Sequence, residues 1–235
     1  MKILNTSLIS SLLMLSLATP AFAAMGDDPL LGKFMLDKFE TTDAEGDSPL
    51  NWELDAWTGK DLNKFWIKSE GERLDGETEQ SNELLYSRAI SSFWDVQLGL
   101  RQDRVGSIKR EFFSVGVQGL APYLFDTSTS ILIGENNQIG IAAQFEYEIM
   151  LTQRWVLSPE VELDFWSEND PEMGIGSGLS TAEIGLRLRY EIRREFAPYI
   201  GISWSKNYGD TADFATEEGG DFESTLFVAG VRIWF

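Results

Sequence analysis

Residues 224–235 read STLFVAGVRIWF. Phe227, Ala229, Val231, Ile233 and Phe235 put an apolar side chain at every second position, the period of a strand with one greasy face. The ends of water-soluble domains are usually frayed and polar. An alternating apolar strand that runs to a final phenylalanine therefore calls for a second solvent on that face.

The same alternation recurs upstream. In QIGIAAQFEYEIML (138–151), Ile139, Ile141, Ala143, Phe145, Tyr147 and Ile149 oppose Gln144, Glu146 and Glu148. In WVLSPEVELDFW (155–166), Trp155, Leu157, Val161, Leu163 and Phe165 oppose Ser158, Glu160, Glu162 and Asp164. SPLNWELDAWTG (48–59) and STAEIGLRLRYEI (180–192) behave likewise, the latter setting Arg187 and Arg189 on its polar face. Segments of this kind predict twelve strands, at 31–40, 48–58, 64–73, 80–90, 93–103, 111–122, 124–134, 138–150, 155–166, 180–192, 197–207 and 224–235, with no helical segment between them.

Connections after even-numbered strands are tight (GKDLN, SS, AP, TQR, RREF). Those after odd-numbered strands tend to be longer and acidic: TTDAEGD, GERLDGETE, SENDPEMGIGSG and YGDTADFATEEGGDFE, with ENN the short exception. Short turns on one side, long loops on the other and strands of spanning length predict a transmembrane, antiparallel, up-and-down β-barrel of the outer-membrane type. Lipid offers no hydrogen bonds, so the sheet must close on itself. A soluble sandwich or lipocalin-like barrel also alternates, but turns its apolar face inward. Aromatics near strand ends (Trp57, Trp66, Trp94, Tyr123, Trp155, Trp166, Tyr190, Trp204) predict interfacial girdles. Phe227, Val231, Ile233 and Phe235 resemble the terminal signal by which such barrels are recognised, which makes the barrel-assembly machinery and outer-membrane lipid the expected partners.

The first residues, Met1-Lys2 followed by an apolar run and Ala21-Phe22-Ala23, read as a cleaved signal peptide over 1–23, leaving a barrel domain over 24–235. A net charge of −19 argues against nucleic acid as a partner. The chain has no cysteine, hence no disulfide, and no histidine. Missing imidazole removes serine-histidine hydrolysis and His metal sites, and a non-enzymatic barrel is expected. Glu146, Glu148, Glu160, Glu162 and Asp164, with Arg187 and Arg189, are expected to line the lumen as a charge-paired, acid-rich ion path. GIGSG (174–178) precedes no helix pattern and reads as a loop, not a phosphate cradle. Met35 and Met173 are candidate soft ligands, although isolated methionines are more often packing residues.

LLYSRAISSFWDVQLGLRQD (84–103), VGVQGLAPYLFD (115–126), GIGSGLSTAEIGLRLRYEIRREFAPYIGISW (174–204) and the closing FVAGVRIWF resemble the copper resistance protein B family. That resemblance implies an outer-membrane barrel of a Gram-negative copper-tolerance system, a conduit or docking barrel for copper ions with periplasmic copper-handling proteins as partners. No tightly bound cofactor is expected, and a copper ion is the candidate ligand or cargo. A general small-solute channel or a purely structural barrel is the alternative. Family members commonly carry a Met- and His-rich extension ahead of the barrel. Here AMGDDPL (24–30), with one Met and no His, stands before the first strand and offers no matching ligand positions.

Overall fold

The computed structural model describes residues 29–43, 48–74, 76–135, 138–217 and 219–235; the expected leader over 1–23 lies outside the described residues. The elements are β1 (Leu31–Asp43), β2 (Leu50–Gly59), β3 (Asn63–Leu74), β4 (Glu77–Ala89), β5 (Trp94–Val105), β6 (Ile108–Ala121), β7 (Phe125–Ile133), β8 (Ile139–Glu146), β9 (Ile149–Met150), β10 (Trp155–Trp166), β11 (Gly178–Tyr190), β12 (Phe196–Asn207), α1 (Asp210–Glu217) and β13 (Glu223–Trp234). β8 and β9 both pair with β10 and form one stave interrupted at Tyr147 and Glu148, so the barrel has twelve staves. All pairings are antiparallel between sequence neighbours, and β13 returns to pair with β1. Phe34 and Phe235 exchange both backbone hydrogen bonds across that closing seam, at 3.0 and 2.8 Å. Among the described residues the sheet has no open edge for lipid to strip of partners.

The two faces follow the two solvents. Leu84, Leu100, Ile200 and Phe227 point outward and are 57–67% exposed, whereas Ser87, Ser114, Ser158 and Arg187 on the other parity are buried within. An outward Arg or Lys at mid-bilayer costs about 2–4 kcal/mol, which favours regular alternation over the middle of the strands.

Three expectations need correction. GERLDGETE is mostly strand, not loop: β3 continues to Leu74 and β4 begins at Glu77, with Gly76 turning at φ +90°. That left-handed conformation favours glycine because it has no Cβ to clash. The long acidic connection before β13 contains a helix, α1, where no helix was expected. The aromatic girdle is also smaller than predicted. Trp155 and Tyr190 pack outward with ring centroids 4.8 Å apart. Trp57 and Trp66 share the inward parity, opposite to the exposed Phe65 and Ile67, and pack at 6.0 Å under Lys64 and Lys68. Trp166 is also internal, packed on Phe112 at 5.3 Å.

Candidate functional site in the barrel interior

The interior is built largely from charge. In β1 the register against β2 shifts between Leu36 and Lys38. A β-bulge sets two residues against one and breaks the alternation locally. Asp37 and Lys38 consequently both reach into the lumen, where a regular strand would have turned one of them to lipid.

Lys38 sits at the centre of the middle layer. Its ammonium lies 3.0 Å from Glu53 Oε2, 3.0 Å from Glu160 Oε2 and 2.8 Å from Glu162 Oε1. Those three glutamates bring carboxylate oxygens within 4.8 Å of one another, a spacing that could hold a cation; here an ammonium occupies their midst. Gln144 Nε2 donates to Glu160 at 2.7 Å and to Glu162 at 3.3 Å. On the far side Arg187 donates to both oxygens of Glu40 and to Glu160 Oε2 at 2.7 Å, and Tyr199 Oη donates to Glu40 at 2.9 Å. Four carboxyl groups thus face two basic groups in this layer. Buried charges survive only when paired and hydrogen-bonded in this way.

Toward the short-turn end, Arg189 pairs with Glu148 (2.5 Å) and Glu146 (3.4 Å). Arg232 pairs with Glu148 at 2.9 Å and lies 2.6 Å from Asp37 Oδ1, the latter an ion pair without hydrogen-bond geometry. Toward the long-loop end, Arg101 faces Asp103 at 2.7 Å, Glu83 at 3.2 Å and Glu70 at 3.5 Å. Asp164 accepts from Thr181 Oγ1 at 3.0 Å. An internal cavity of about 190 Å³ runs beside these groups, lined by Glu53, Lys68, Glu70, Asp126 and Gln144 among others.

The long-loop end of the interior is apolar. Phe112, Leu132 and Trp166 form a buried apolar cluster, with Ile175 from the β10–β11 loop packed on it. That loop is tied down by Arg110, whose guanidinium takes Asp170 at 2.7 and 3.1 Å and Glu172 at 2.7 Å. It is tied again by Thr211 of α1, which accepts from Gly176 N–H at 2.8 Å.

The structure gathers the seven lumen residues named from sequence into two adjoining ion-pair layers plus Asp164. Sequence reasoning missed Asp37, Lys38, Glu40 and Arg232, and the whole Arg101 layer. The alternation of Arg101 and Asp103 along β5 was the available signal for the latter. The two candidate thioethers are far apart in the fold. Met35 lies near the short-turn end, where Arg232 Nη2 approaches its sulfur at 3.6 Å, and Met173 is buried in the β10–β11 loop at the other end. A guanidinium against the Met35 sulfur repels a metal cation there. The carboxylate oxygens of the middle layer are hard donors, suited to hard cations better than to Cu(I).

A sequence model described as "Copper resistance protein B precursor (CopB)" matches residues 30–235. The chain belongs to the copper resistance protein B family. Copper resistance protein B of Escherichia coli is 41% identical over 213 residues, 90% of this chain and 72% of that protein. The Copper resistance protein B homolog of Pseudomonas syringae pv. tomato is 41% identical over 210 residues, 89% of this chain and 71% of that one. Among solved structures, a NanC porin superposes with a TM-score of 0.55 at 12% identity, over 86% of this chain and 99% of that one. A KdgM porin gives 0.52 at 11%, over 87% and 99%. At such low identity these porins speak for the fold alone. This member of the copper resistance protein B family is thus a closed antiparallel barrel that shares its fold with outer-membrane porins.

Proposed function

We propose that the protein resides in the outer membrane, short turns toward the periplasm, and passes small cations, copper ions among them, along an acid-rich lumen in support of copper tolerance. The observation that carries this reading is the excess of carboxyl groups at successive levels: four against two basic groups around Lys38 and Arg187, and three against one around Arg101. Rings of carboxylates favour cations over anions along a water path. The cavity of about 190 Å³ is small beside ligand pockets of ~300–1,000 Å³, which favours ions over bulky solutes. Copper is cargo in this reading, not a resident cofactor, and the role is non-enzymatic. Assembly through the terminal strand ending at Phe235, and exchange with periplasmic copper-handling proteins at the short-turn end, complete the proposal.

The test is a copper-sensitive deletion strain carrying the wild-type chain or Glu146→Gln with Glu162→Gln. Wild type should restore growth on toxic copper, and the double variant should restore it less at equal barrel abundance. Equal restoration would count against an acidic path and for a docking barrel.

A further inference from the structure

Arg104 and Lys109 are direct cross-strand partners on β5 and β6. Asp103, next to Arg104, and Phe112, three residues along β6 from Lys109, are buried inside, so alternation turns both basic side chains to the outer surface, where both are exposed. Like charges opposed on one face of an antiparallel pair are destabilising. Among the described residues no carboxylate stands within ion-pair distance of either. Arg104 Nε donates to the Gly106 carbonyl at 2.7 Å, and the outward Glu111 is engaged by Gln102 at 3.2 Å. Arg73, outward and exposed on β3, is likewise without an acidic partner among the described residues. By contrast, two other basic residues at this end are matched, Arg110 to Asp170 and Glu172, and Lys206 to Glu223. In a chain of net charge −19, cations that face outward unmatched by the protein's own carboxylates leave room for a counter-charge from elsewhere.

Their height says where it comes from. The outward face below them is apolar, with Leu98 and Leu100 on β5 and Phe113 and Val117 on β6 all exposed. Arg104 lies four residues beyond Leu100, roughly 14 Å along the strand and less along the membrane normal once the strand tilts. Their stems can run down over the apolar belt while the heads stay polar.

We propose that Arg104 and Lys109, flanked by Arg73, bind the phosphate groups of outer-leaflet glycolipid, the phosphorylated glucosamines of lipid A. A guanidinium offers two parallel donors to a phosphate, and the ammonium beside it adds a point charge. One phosphate held by both supplies the negative charge that no neighbouring carboxylate provides. The proposal rests on the outer-membrane reading above.

The refolded chain in detergent micelles is titrated with bisphosphorylated lipid A, with a phosphate-free lipid A analogue and with inorganic phosphate. The phosphorylated lipid should bind at least about tenfold tighter than the analogue. Arg104→Gln with Lys109→Gln should remove roughly tenfold of that affinity, and Lys206→Gln, which deletes a surface cation elsewhere, should not change it. Inorganic phosphate should not displace the lipid; displacement would overturn the lipid as ligand. Equal binding of the phosphate-free analogue by the wild-type chain would overturn the proposal without any variant, as would unchanged binding by a folded double variant. Insertion into liposomes is read separately by heat-modifiable mobility. A chain that does not insert overturns the outer-membrane reading and this proposal with it, whereas insertion without phosphate discrimination overturns this proposal alone.

Discussion

Arg187 clasps Glu40 through two parallel hydrogen bonds, Nε to Oε2 at 3.0 Å and Nη2 to Oε1 at 2.8 Å, joining residues 147 positions apart across the barrel interior. Both side chains are buried, and Arg187 also holds Glu160. Breaking a buried pair by removing one partner costs about 3–5 kcal/mol, because the other charge stays behind uncompensated. Arg187→Met should therefore lower stability by about that amount, read by urea unfolding of the folded barrel in lipid vesicles. Arg187→Lys should recover only part of it, since an ammonium cannot make the bidentate contact. A loss below about 1 kcal/mol would show that water reaches and solvates Glu40.

Tyr199 should matter less. Its hydroxyl makes one hydrogen bond to Glu40, and a bond to a charged group is worth about 1.5–3 kcal/mol. Tyr199→Phe keeps the ring and should cost within that range in the same unfolding measurement.

Gly230 sets how closely this cluster can be packed. A Cβ there would stand 2.7 Å from Glu40 Cβ, from Phe39 O and from Tyr199 Cζ, too near for any of them. Gly230→Ala should cost about 1–3 kcal/mol by overpacking and displace Tyr199 from Glu40. In a background of Tyr199→Phe the penalty for losing the hydrogen bond is already taken, so the two losses should be less than additive in a double-mutant cycle.

Lys38 is the cation nearest to three carboxylates, and its effect on ions should be large compared with its effect on mass. Lys38→Met leaves Glu53, Glu160 and Glu162 without their ammonium and should sharpen cation preference in planar bilayers and strengthen block by millimolar divalent ions relative to wild type. Unchanged selectivity would mean that ions do not pass this layer.

Arg110 holds the β10–β11 loop over the mouth from a partly exposed position, where a pair contributes at most about 1 kcal/mol to stability. Arg110→Gln should therefore barely change unfolding yet raise single-channel conductance, because Ile175 is released from Phe112 and Trp166. Conductance equal to wild type would show that the loop does not limit flux.

The twelve staves were legible because each strand meets lipid on one face and polar groups on the other, and this stamps a two-residue period on every segment. Side-chain type was a weaker guide than parity. Trp57, Trp66 and Trp166 resemble girdle residues, yet they fall on the inward phase, where Trp57 and Trp66 pack against cations and Trp166 packs in the buried apolar cluster with Phe112. The β1 bulge was not legible, since Asp37-Lys38 only makes sense once β2 fixes the register. Nor was the Lys38–Glu162 contact, whose partners are 124 residues apart and meet only through the curvature of a closed sheet. Helix α1 is short and acidic, and its eight residues are too few to show a helical period.

The most direct measurement is the reversal potential of the reconstituted wild-type barrel in a planar bilayer with a KCl gradient across it. An acid-rich conducting lumen predicts a potential of the sign set by potassium, reduced by Glu146→Gln with Glu162→Gln. A potential of zero, or of the sign set by chloride, would contradict a cation path through this barrel.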